Sequence, residues 1–591
     1  MNPTEKINEL RHRMKAYDLA AWIVPSNDPH QSEYPAEHWK MRAWLTGFHG
    51  SAGTLVVTPQ LAGLWVDPRY HIRAEQDLLG TGIQVFKYGL PGVPTYQQWL
   101  GQELPHGALI GFDGTLFSAA AVASLRRACA HKALKFLVDQ DLPGQIWQDR
   151  PKIPVNPAWT YDLNFAGETC SSKIARIRAT LKSQAAQAQL ICSLDDIAWT
   201  LNMRGSDVPY NPVVVSYLWI SQQEIRLFIQ PEKMSPELRQ ILAEDGVTFA
   251  EYSELQQFLR QLTADQIVLC DPEKTSVQFQ QLLSGVCTVR DFPSIPALLK
   301  AIKNRVEIDG LKAANLRDGL ALVRWLFWLE HFDWESPQTE ITLADRLSEF
   351  RQSNQHFQGL SFGTICGYQA NSAVGHYSPQ PETTPRVFPQ GILLIDSGAQ
   401  YLDGTTDITR TLSLSEPTPE QKNVFTHVLK SHIRLAQAIF PRGTTGGELD
   451  AIARDNLWRQ GWECRHGIGH GVGHFLNVHE GPASFRRDNR VVLQPGMLLS
   501  NEPGVYFEGS FGVRLENLLL TVCAETTRFG EFLAFETVSL CPFDLTLLDV
   551  SLLQPAEITW LNQYHQRVYA CLSPFLTKVE QAWLFQKTRQ I

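Results

Sequence analysis

The chain has 591 residues, 44% of them hydrophobic and 19% charged, and at about 100–200 residues per domain it should contain several folding units. Its 61 acidic and 52 basic side chains give a net charge of −9. This mild acidity argues against nucleic acid or an anionic membrane as the main partner, because both are usually bound by a basic surface. No apolar run approaches the ~18 residues of a membrane span.

The N-terminal segment predicts an amphipathic helix rather than an export signal. The stretch MNPTEKINELRHRMK lacks the apolar core and cleavage site of a signal peptide, and Thr4 is a typical capping residue. One face of this helix carries Ile7, Leu10 and Met14. The ten cysteines include no CxxC pair, which argues against a zinc knuckle and a dense disulfide framework. We therefore expect a protein of the reducing cytoplasm.

The first half of the chain contains a faint repeat with an offset of 155 to 158 residues. Trp44 matches Trp199, and the apolar-to-acidic run 110–113 matches the run 268–271, each run being followed by a helical pattern. The repeat predicts two related domains, and the alternative is two unrelated α/β domains. In both halves short strands alternate with amphipathic helices, which is typical of mixed α/β layers.

Polar joins that contain proline mark the predicted domain boundaries. One join is 150–160, and a second lies near Lys303, before a long helical stretch whose mixed Trp, Phe and Leu face predicts core packing. We therefore predict three domains, 1–155, 156–304 and 305–591. The last of them carries almost all of the candidate chemistry.

Two aspartates border a predicted hairpin in GILLIDSGAQYLDGTTDITRTLSL, residues 391–414. An apolar run ends at Asp396, a turn follows at Asp403 and Gly404, and a second β-rich run begins at Asp407. Folding the run back would bring Asp396 and Asp407 together, and neighbouring carboxylates repel unless a cation or a proton lies between them. The alternative is a pair of loop carboxylates that point to water.

Four histidines fall within fourteen residues of HGIGHGVGHFLNVHEGP: His466, His470, His474 and His479. The intervening glycines each disfavour a helix by about 1 kcal/mol relative to alanine, so a loop or an irregular strand is expected. There the glycines permit close approach of the backbone to a ligand, and the imidazoles supply metal ligands and proton carriers near neutral pH. A surface histidine cluster is the alternative.

Two glutamates adjoin apolar strands further along the chain. Glu502 ends one strand before Pro-Gly, and Glu516 is predicted to lie inside a second, strongly apolar strand. Arg514 and Glu516 share one face of that strand by the period of two. Because a buried ionised glutamate is costly without a partner, either an ion pair between these two residues or a metal is expected.

Together these segments supply two Asp, one His and two Glu beside apolar strands of one region. Oxygen-rich ligation with a single imidazole suits two divalent ions such as Mn²⁺, with Co²⁺ or Zn²⁺ as alternatives, because carboxylates can bridge ions ~3.5–4 Å apart. A water molecule between such ions is acidified to hydroxide, which indicates hydrolysis.

The order Asp, Asp, His, Glu, Glu resembles the ligand set of the pita-bread metallopeptidases, which include methionine aminopeptidase, prolidase and aminopeptidase P. The closer resemblance, over almost the whole chain, is to the three-domain Xaa-Pro aminopeptidases, in IVPSNDPHQSEYPAEHWKMRAWLTGFHGSAGT, LWVDPRYHIRAEQ, NSAVGHYSP, LLIDSGAQYLDGTTDITRT and HGIGHGVG. It implies an α/β (α+β) fold in which two creatinase-like N-terminal α/β domains precede a pita-bread catalytic domain. It also implies a homodimer.

The same resemblance assigns roles residue by residue. It implies a dinuclear metal site, with Mn²⁺ expected first, whose ligands are Asp396, Asp407, His470, Glu502 and Glu516. It implies catalytic roles for His376, His479 and Glu502, with Glu502 as the general base. It implies substrate contacts by Arg69, His376, His466, His479 and Arg514.

The implied reaction removes the N-terminal residue from peptides with proline in second position, by attack of a hydroxide that bridges the two ions. The expected partners are peptides with an Xaa-Pro N-terminus, and neither nucleic acid nor a membrane. A prolidase-like Xaa-Pro dipeptidase is the nearest alternative, although prolidases lack the middle domain and the tail. A non-catalytic pita-bread binding module is a further alternative, although such modules have lost the ligand set.

His474 departs from the family pattern, in which a small residue such as serine is expected after HGVG. Its bulky, titratable ring is expected either to alter metal occupancy or pH dependence, or to point to solvent.

Overall fold

The computed structural model describes residues 1–381 and 384–591, which group into two compact units. Unit 1 comprises Met1–Asp162 and Glu168–Leu298, and unit 2 comprises Leu163–Gly167 and Leu299–Ile591. No helix in the described residues is both long and apolar enough to cross a membrane.

The first half of unit 1 forms one sheet with flanking helices. Its strands are β1 Ala21–Val24, β2 Thr54–Val57, β3 Ala62–Val66, β4 Gln84–Lys87, β5 Leu109–Gly111 and β6 Lys135–Leu137. Its helices are α1 Pro3–Ala16, α2 Met41–Thr46, α3 His71–Asp77, α4 Tyr96–Glu103, α5 Ala119–Ala128 and α6 Leu142–Ile146. Two short elements follow, β7 Trp159–Thr160 and helix α7 Leu163–Ala166, of which α7 belongs to unit 2.

The predicted N-terminal helix is present, but its cap differs from the prediction. The side chain of Asn2, not Thr4, accepts a hydrogen bond from the Glu5 N–H, and the Glu5 carboxylate accepts one from the Asn2 N–H. This reciprocal capping box fixes the helix start at Pro3. The apolar face is buried as predicted, at Ile7, Leu10 and Met14.

The second half of unit 1 repeats the arrangement of the first. Its strands are β8 Ala188–Ile191, β9 Met203–Arg204, β10 Ser216–Ser221, β11 Ile225–Ile229, β12 Val247–Ala250, β13 Ile267–Cys270 and β14 Thr288–Asp291. Its helices are α8 Cys170–Ser183, α9 Leu194–Thr200, α10 Pro236–Glu244, α11 Leu255–Arg260, α12 Val277–Ser284 and α13 Ile295–Lys300, the last of which continues into unit 2.

The two six-stranded sheets of unit 1 have the same topology. Their strand orders are β4-β3-β2-β1-β5-β6 and β12-β11-β10-β8-β13-β14. In both sheets the successive neighbours pair parallel, antiparallel, antiparallel, parallel and parallel. Ile110 lies opposite Ala21 in the first sheet, and Val268 lies opposite Ala188 in the second. The matched sequence runs therefore occupy the same strand in each sheet.

Unit 2 combines short sheets with long helices. Its helices after α13 are α14 Arg305–His331, α15 Glu340–Gln352, α16 Pro419–Ala436, α17 Gly446–Trp458, α18 Pro555–Leu572 and α19 Lys578–Lys587. Its strands begin with β15 Gln338–Thr339, β16 Phe357–Leu360, β17 Ile365–Tyr368, β18 Arg386–Val387, β19 Ile392–Ser397, β20 Ala399–Tyr401, β21 Gly404–Thr405 and β22 Ile408–Ser413. They continue with β23 Phe440–Pro441, β24 Gly469–Gly471, β25 Glu480–Phe485, β26 Leu498–Asn501, β27 Gly504–Phe507, β28 Phe511–Arg514, β29 Asn517–Thr527 and β30 Gly530–Thr537.

Two of these sheets build the base of the candidate site. One has the order β17-β19-β22, and the other has the order β23-β30-β29-β26-β24-β25. Helix α16 packs its buried residues, such as Val424, Val428 and Leu429, into the core beside the second sheet. The predicted long helix after Lys303 is α14, and its Trp325 is fully buried, in agreement with the core packing predicted for its aromatic face.

Candidate active site

The predicted hairpin around Asp396 and Asp407 is present. Strands β19 and β22 pair antiparallel, with Asp396 opposite Thr409, and the small β20–β21 pair fills the turn between them. Asp407 immediately precedes β22. Both aspartates are buried, so the alternative of loop carboxylates that point to water is wrong.

His470 lies at the centre of the short strand β24, whose pairing with β25 is irregular; of the loop and the irregular strand that the glycine pattern allowed, the structure shows the strand. A Cβ at Gly469 would collide with the carbonyl oxygen of Ser500, and one at Gly471 would collide with that of Glu480. Glycine is therefore required here, because strands approach closely on both sides. The Nδ1 of His470 lies 2.9 Å from the carbonyl oxygen of Gly471 and donates to it, which leaves Nε2 as the free ligand atom.

The two glutamates lie just outside two paired strands: Glu502 directly follows β26, and Glu516 directly precedes β29. Glu502 follows β26, as predicted, but Glu516 does not lie inside an apolar strand. It occupies the break between β28 and β29, because its N–H donates to Thr409 O, 3.0 Å away, instead of continuing a single strand. The Thr409 hydroxyl also donates to Glu516 Oε2 at 2.8 Å.

The predicted ligands come together from these separate strands. One ligand atom each of Asp407, His470 and Glu516 lies within 4.8 Å of the others. His470 Nε2 lies 3.4 Å from Asp407 Oδ2 and 3.4 Å from Glu502 Oε1. Asp396 Oδ1 is buried and has no hydrogen-bond partner within the described ranges 1–381 and 384–591.

Crowding of negative charge perturbs the acids of this cluster. Burial, helped by Asp407 and Glu502 and opposed by Arg514, raises the pKa of Asp396 to about 6. Burial and the neighbouring carboxylates raise the pKa of Glu516 well above its ordinary value. Such a surplus of buried carboxylate, with one orphaned oxygen, fits bound divalent cations.

The histidines act on Glu502 in the opposite direction. Burial would raise the pKa of Glu502, but the positive charges of His466, His470 and Arg514 lower it overall. Burial opposes protonation of His470 as well, yet Asp407 and Glu502 raise its pKa to about 9. A cation bound at Nε2 therefore has to displace a proton.

Arg514 pairs with Asp396 rather than with Glu516, so the alternative of an ion pair between Arg514 and Glu516 is wrong. Its Nη2 instead donates to Asp396 Oδ2 at 2.6 Å, and its Nη1 donates to the hydroxyl of Tyr506 at 2.7 Å. The same hydroxyl lies 2.8 Å from Nε2 of His466. Tyr506, in strand β27, was not indicated by any pattern in the sequence.

The other predicted site residues are placed as follows. The ring of His479 lies 4.3 Å from the ring of His470, measured between centroids. His376 is half-buried and follows the turn Gln369–Ala373, whose Ser372 hydroxyl accepts from Gly512 N–H at 2.8 Å. Arg69 lies in unit 1, where its guanidinium pairs with Asp67 at 2.6 Å. The roles predicted for these residues stay predictions.

His474 does not point to solvent, so that alternative is wrong. The residue is 3% exposed, and its Nε2 lies 3.1 Å from the carbonyl oxygen of Phe165 in helix α7. The ring thus ties the loop after β24 to this short helix within unit 2.

Four stretches of the chain match known domain families. Residues 6–141 and residues 149–307 each match the creatinase/prolidase N-terminal domain. Residues 309–522 match metallopeptidase family M24, and residues 531–591 match the C-terminal region of the M24 peptidases.

Similar proteins cover the chain from end to end. Aminopeptidase P2 of Arabidopsis thaliana is 41% identical over 99% of this chain and 88% of its own length. A protein of Laccaria bicolor named "Probable Xaa-Pro aminopeptidase P" is 40% identical over 98% of this chain and 91% of its own. The crystal structure of the X-prolyl aminopeptidase of Caenorhabditis elegans, described as a cytosolic enzyme with a di-nuclear active site, matches 100% of both chains with a TM-score of 0.95 and 35% identity.

Buried acids gathered around one free imidazole nitrogen, on this combination of domains, are typical of a metallopeptidase. The predicted fold, two creatinase-type α/β domains before a pita-bread domain, is confirmed. The chain belongs to metallopeptidase family M24 and, within it, to the three-domain Xaa-Pro aminopeptidases.

Proposed function

We propose that this chain is a metal-dependent aminopeptidase that releases the N-terminal residue from peptides with proline in second position. The observation that carries the proposal is the convergence of Asp407, His470 and Glu516 in a chain that is similar over its whole length to Xaa-Pro aminopeptidases. A bond to proline is a tertiary amide without an N–H, so its cleavage requires a site built for that shape.

In this proposal Asp396, Asp407, His470, Glu502 and Glu516 would hold two divalent ions. The di-nuclear site of the Caenorhabditis elegans enzyme supports the number of ions. The oxygen-rich donor set with one imidazole favours Mn²⁺, with Co²⁺ or Zn²⁺ as alternatives. When bound, the ions would polarise the scissile carbonyl and lower the pKa of a water molecule.

Glu502 is the best-placed proton acceptor among the acids. Its side chain is 18% exposed against 5% for Asp407, so it borders the side of the cluster that a substrate can reach. Its lowered pKa keeps it ionised near neutral pH, and a general base has to be ionised to accept a proton.

Histidines supply the remaining proton transfers in this proposal. The prolyl nitrogen leaves as an amine and has to gain a proton as the bond breaks, and an imidazole titrates in the right range to donate it. His479, beside His470, and His376 are assigned to this step and to the developing oxyanion. His466 and Arg514, joined through Tyr506, orient the carboxylates on the other side of the cluster.

Arg69 is proposed as a weaker contact to the peptide. The Arg69→Ala variant should then raise KM for tripeptides and leave kcat nearly unchanged, because a ground-state contact lowers KM only. An unchanged KM would remove this residue from the substrate site.

Three further properties are proposed with the function. The domain division is 1–155, 156–304 and 305–591, which the repeated sheet topology of unit 1 supports. The enzyme is a homodimer, which light scattering of the purified protein would test. Its location is the cytoplasm, supported by the cytosolic description of the Caenorhabditis elegans enzyme.

The experiment that tests the function compares three substrates, Ala-Pro-Ala, Ala-Pro and Ala-Ala-Ala, with the Mn²⁺-loaded enzyme. We expect release of alanine from Ala-Pro-Ala with kcat/KM far above that for the other two. A strong preference for Ala-Pro would instead identify an Xaa-Pro dipeptidase, and binding of all three without cleavage would identify a non-catalytic module.

A further inference from the structure

The two glutamates of the cluster lie where two paired strands separate. Asn501, at the end of β26, is the register partner of Asn517, at the start of β29. Beyond this pair the chains diverge: Glu502 N–H donates to Ile468 O at 2.7 Å, and Glu516 N–H donates to Thr409 O at 3.0 Å. The backbone of Glu502 is therefore hydrogen-bonded to the segment that leads into β24, which carries His470, and the backbone of Glu516 is hydrogen-bonded to β22 of the hairpin that carries the two aspartates.

A buried imidazole from helix α16 lies at this strand fork. His432 is 0% exposed, and its Nδ1 lies 3.0 Å from Asn501 O, while its Nε2 lies 3.2 Å from Asn517 Nδ2. Asn501 Nδ2 in turn donates to the backbone oxygen of His432 at 2.9 Å. A single side chain thus touches the residue next to each glutamate.

Arg410 fixes the direction of these hydrogen bonds. Its Nη2 donates to Asn517 Oδ1 at 2.8 Å, and because a guanidinium has no acceptor, the amide of Asn517 must turn its NH₂ toward His432. Nε2 of His432 is then the acceptor and Nδ1–H is the donor to Asn501. The same guanidinium donates through Nη1 to Glu516 O at 2.6 Å, so the network ends on the glutamate itself.

The ring stays neutral in this position. Burial, followed by the charge of Arg410, lowers the pKa of His432 to about 3. It therefore donates one hydrogen bond and accepts another throughout the neutral range, which suits a fixed spacer rather than a proton carrier.

We propose that His432 is a positioning residue that holds Glu502 and Glu516 at the separation required by the metal ions. This inference rests on the proposed metal site. It assigns a task to a buried histidine that touches neither substrate nor metal and acts through Asn501 and Asn517.

The test measures Mn²⁺ affinity by calorimetric titration of the whole apoenzyme, with the d–d absorption of the Co²⁺-substituted enzyme as a second readout. His432→Phe keeps a planar ring and removes both hydrogen bonds, and we expect about 10–100-fold weaker binding of Mn²⁺, an altered Co²⁺ spectrum and a lower kcat. His432→Gln retains a donor and an acceptor and should recover most of the affinity.

His427→Phe is the matched control, because His427 lies on the same helix and is also buried. Its Nδ1 contacts Asn456 Oδ1 in helix α17 at 3.4 Å, away from the strand fork. The variant should lower thermal stability while leaving Mn²⁺ affinity and the Co²⁺ spectrum unchanged. If His432→Phe does not fold, Asn517→Ala removes the amide that donates to Nε2 and should weaken Mn²⁺ binding in the same way.

The possible results separate this inference from the function. Wild-type Mn²⁺ affinity in folded His432→Phe or Asn517→Ala would overturn the positioning role alone, as would equal losses in the His432 and His427 variants. Failure of the wild-type enzyme to bind any of Mn²⁺, Co²⁺ and Zn²⁺ would overturn the metal site and this inference together.

Discussion

Unit 2 buries carboxylates in two kinds of surroundings. In the core, Asp318 faces Arg351 with two hydrogen bonds of 2.8 and 2.9 Å, and Glu480 contacts both Lys300 and Lys303. In the candidate active site, three carboxylates, those of Asp396, Asp407 and Glu502, have Arg514 and histidines as ion-pair partners, and the fourth, that of Glu516, accepts a hydrogen bond from the Thr409 hydroxyl. The first group is neutralised by protein cations, and the second retains a surplus of negative charge.

This difference separates two uses of a buried acid. An ion pair whose charges and hydrogen bonds are matched fixes the packing of the elements it joins. A surplus of carboxylates destabilises the metal-free fold. The fold gains stability when divalent cations bind, because a ligand that binds only the folded state shifts the folding equilibrium toward that state. The contrast predicts that loss of an acid from the candidate active site and loss of a cation from a matched pair have opposite effects on the stability of the metal-free fold.

The largest effect is expected from the loss of a proposed metal ligand. Asp407→Asn and Glu516→Gln should each lower kcat/KM for Ala-Pro-Ala by at least about 10³-fold, because each ion supplies several kcal/mol of charge stabilisation. Glu516→Gln should also raise the melting temperature of the metal-free enzyme near neutral pH, because burial and the neighbouring carboxylates disfavour the ionised form of this acid. Retained activity, or a lower melting temperature of metal-free Glu516→Gln, would contradict the proposed distinction.

The second effect concerns the matched ion pair. Arg351→Met leaves Asp318 buried with the Tyr401 hydroxyl as a donor but without its cation, and we expect the free energy of unfolding to fall by about 3–5 kcal/mol. Mn²⁺ affinity should not change. Chemical denaturation measures the first quantity, and the double variant Asp318→Leu/Arg351→Met should recover much of the loss. Equal stability of the single variant and wild type would mean that the pair does not hold this part of the fold.

A smaller effect is expected from the hydroxyl that supports Glu516. Thr409 donates to Glu516 Oε2, and Arg514 Nε donates to the Thr409 hydroxyl at 3.3 Å. Thr409→Val should weaken Mn²⁺ binding by about 10–100-fold, as is typical when a group that orients a metal ligand is removed. Thr426→Val, in helix α16, is a control of the same shape and should leave Mn²⁺ affinity unchanged.

The smallest effect is a pH dependence of the metal-free enzyme. Burial and neighbouring acids raise the pKa of Asp396 from 3.8 to about 6, so its contribution to stability is present at low pH and is lost as the pH rises through about 6. Against the opposing effect of burial, Asp407 and Glu502 raise the pKa of His470 from 6.5 to about 9, and its contribution is likewise lost as the pH rises toward 9. The melting temperature of the metal-free enzyme should therefore decline as the pH rises from about 4 to about 9.

Bound metal should remove this decline, because it holds both groups deprotonated. Scanning calorimetry of the apoenzyme and the Mn²⁺-loaded enzyme at several pH values measures the difference. Asp396→Asn should flatten the lower part of the apoenzyme curve. A melting temperature of the apoenzyme that rises over the same range would contradict the crowding of charge.

Local patterns were enough to predict the elements of the site. The turn residues before Asp407 predicted the hairpin, which is present, and the glycines around His470 predicted a loop or an irregular strand, of which the structure shows the strand. The resemblance to Xaa-Pro aminopeptidases predicted the family, which the comparisons confirm.

Contacts between distant segments were not predictable in the same way. The strand break at Glu516 arises because its N–H bonds to Thr409, 107 residues earlier, and the apolar pattern of GVRLENLLLTV contains no sign of that contact. The hydrogen bond from Arg514 to Asp396 was not predictable either, because it joins residues 118 positions apart in the chain. His432 reads as an ordinary residue of an amphipathic helix, since its partners Asn501 and Asn517 lie on strands far along the chain.

The most direct test of the account is the stoichiometry of metal and activity. The enzyme is stripped with a chelator, and Mn²⁺ is added back in steps while cleavage of Ala-Pro-Ala and bound metal are measured on the same samples. We predict an inactive apoenzyme whose rate reaches its maximum when two ions are bound per chain. Full-rate cleavage by protein that contains no metal would contradict it.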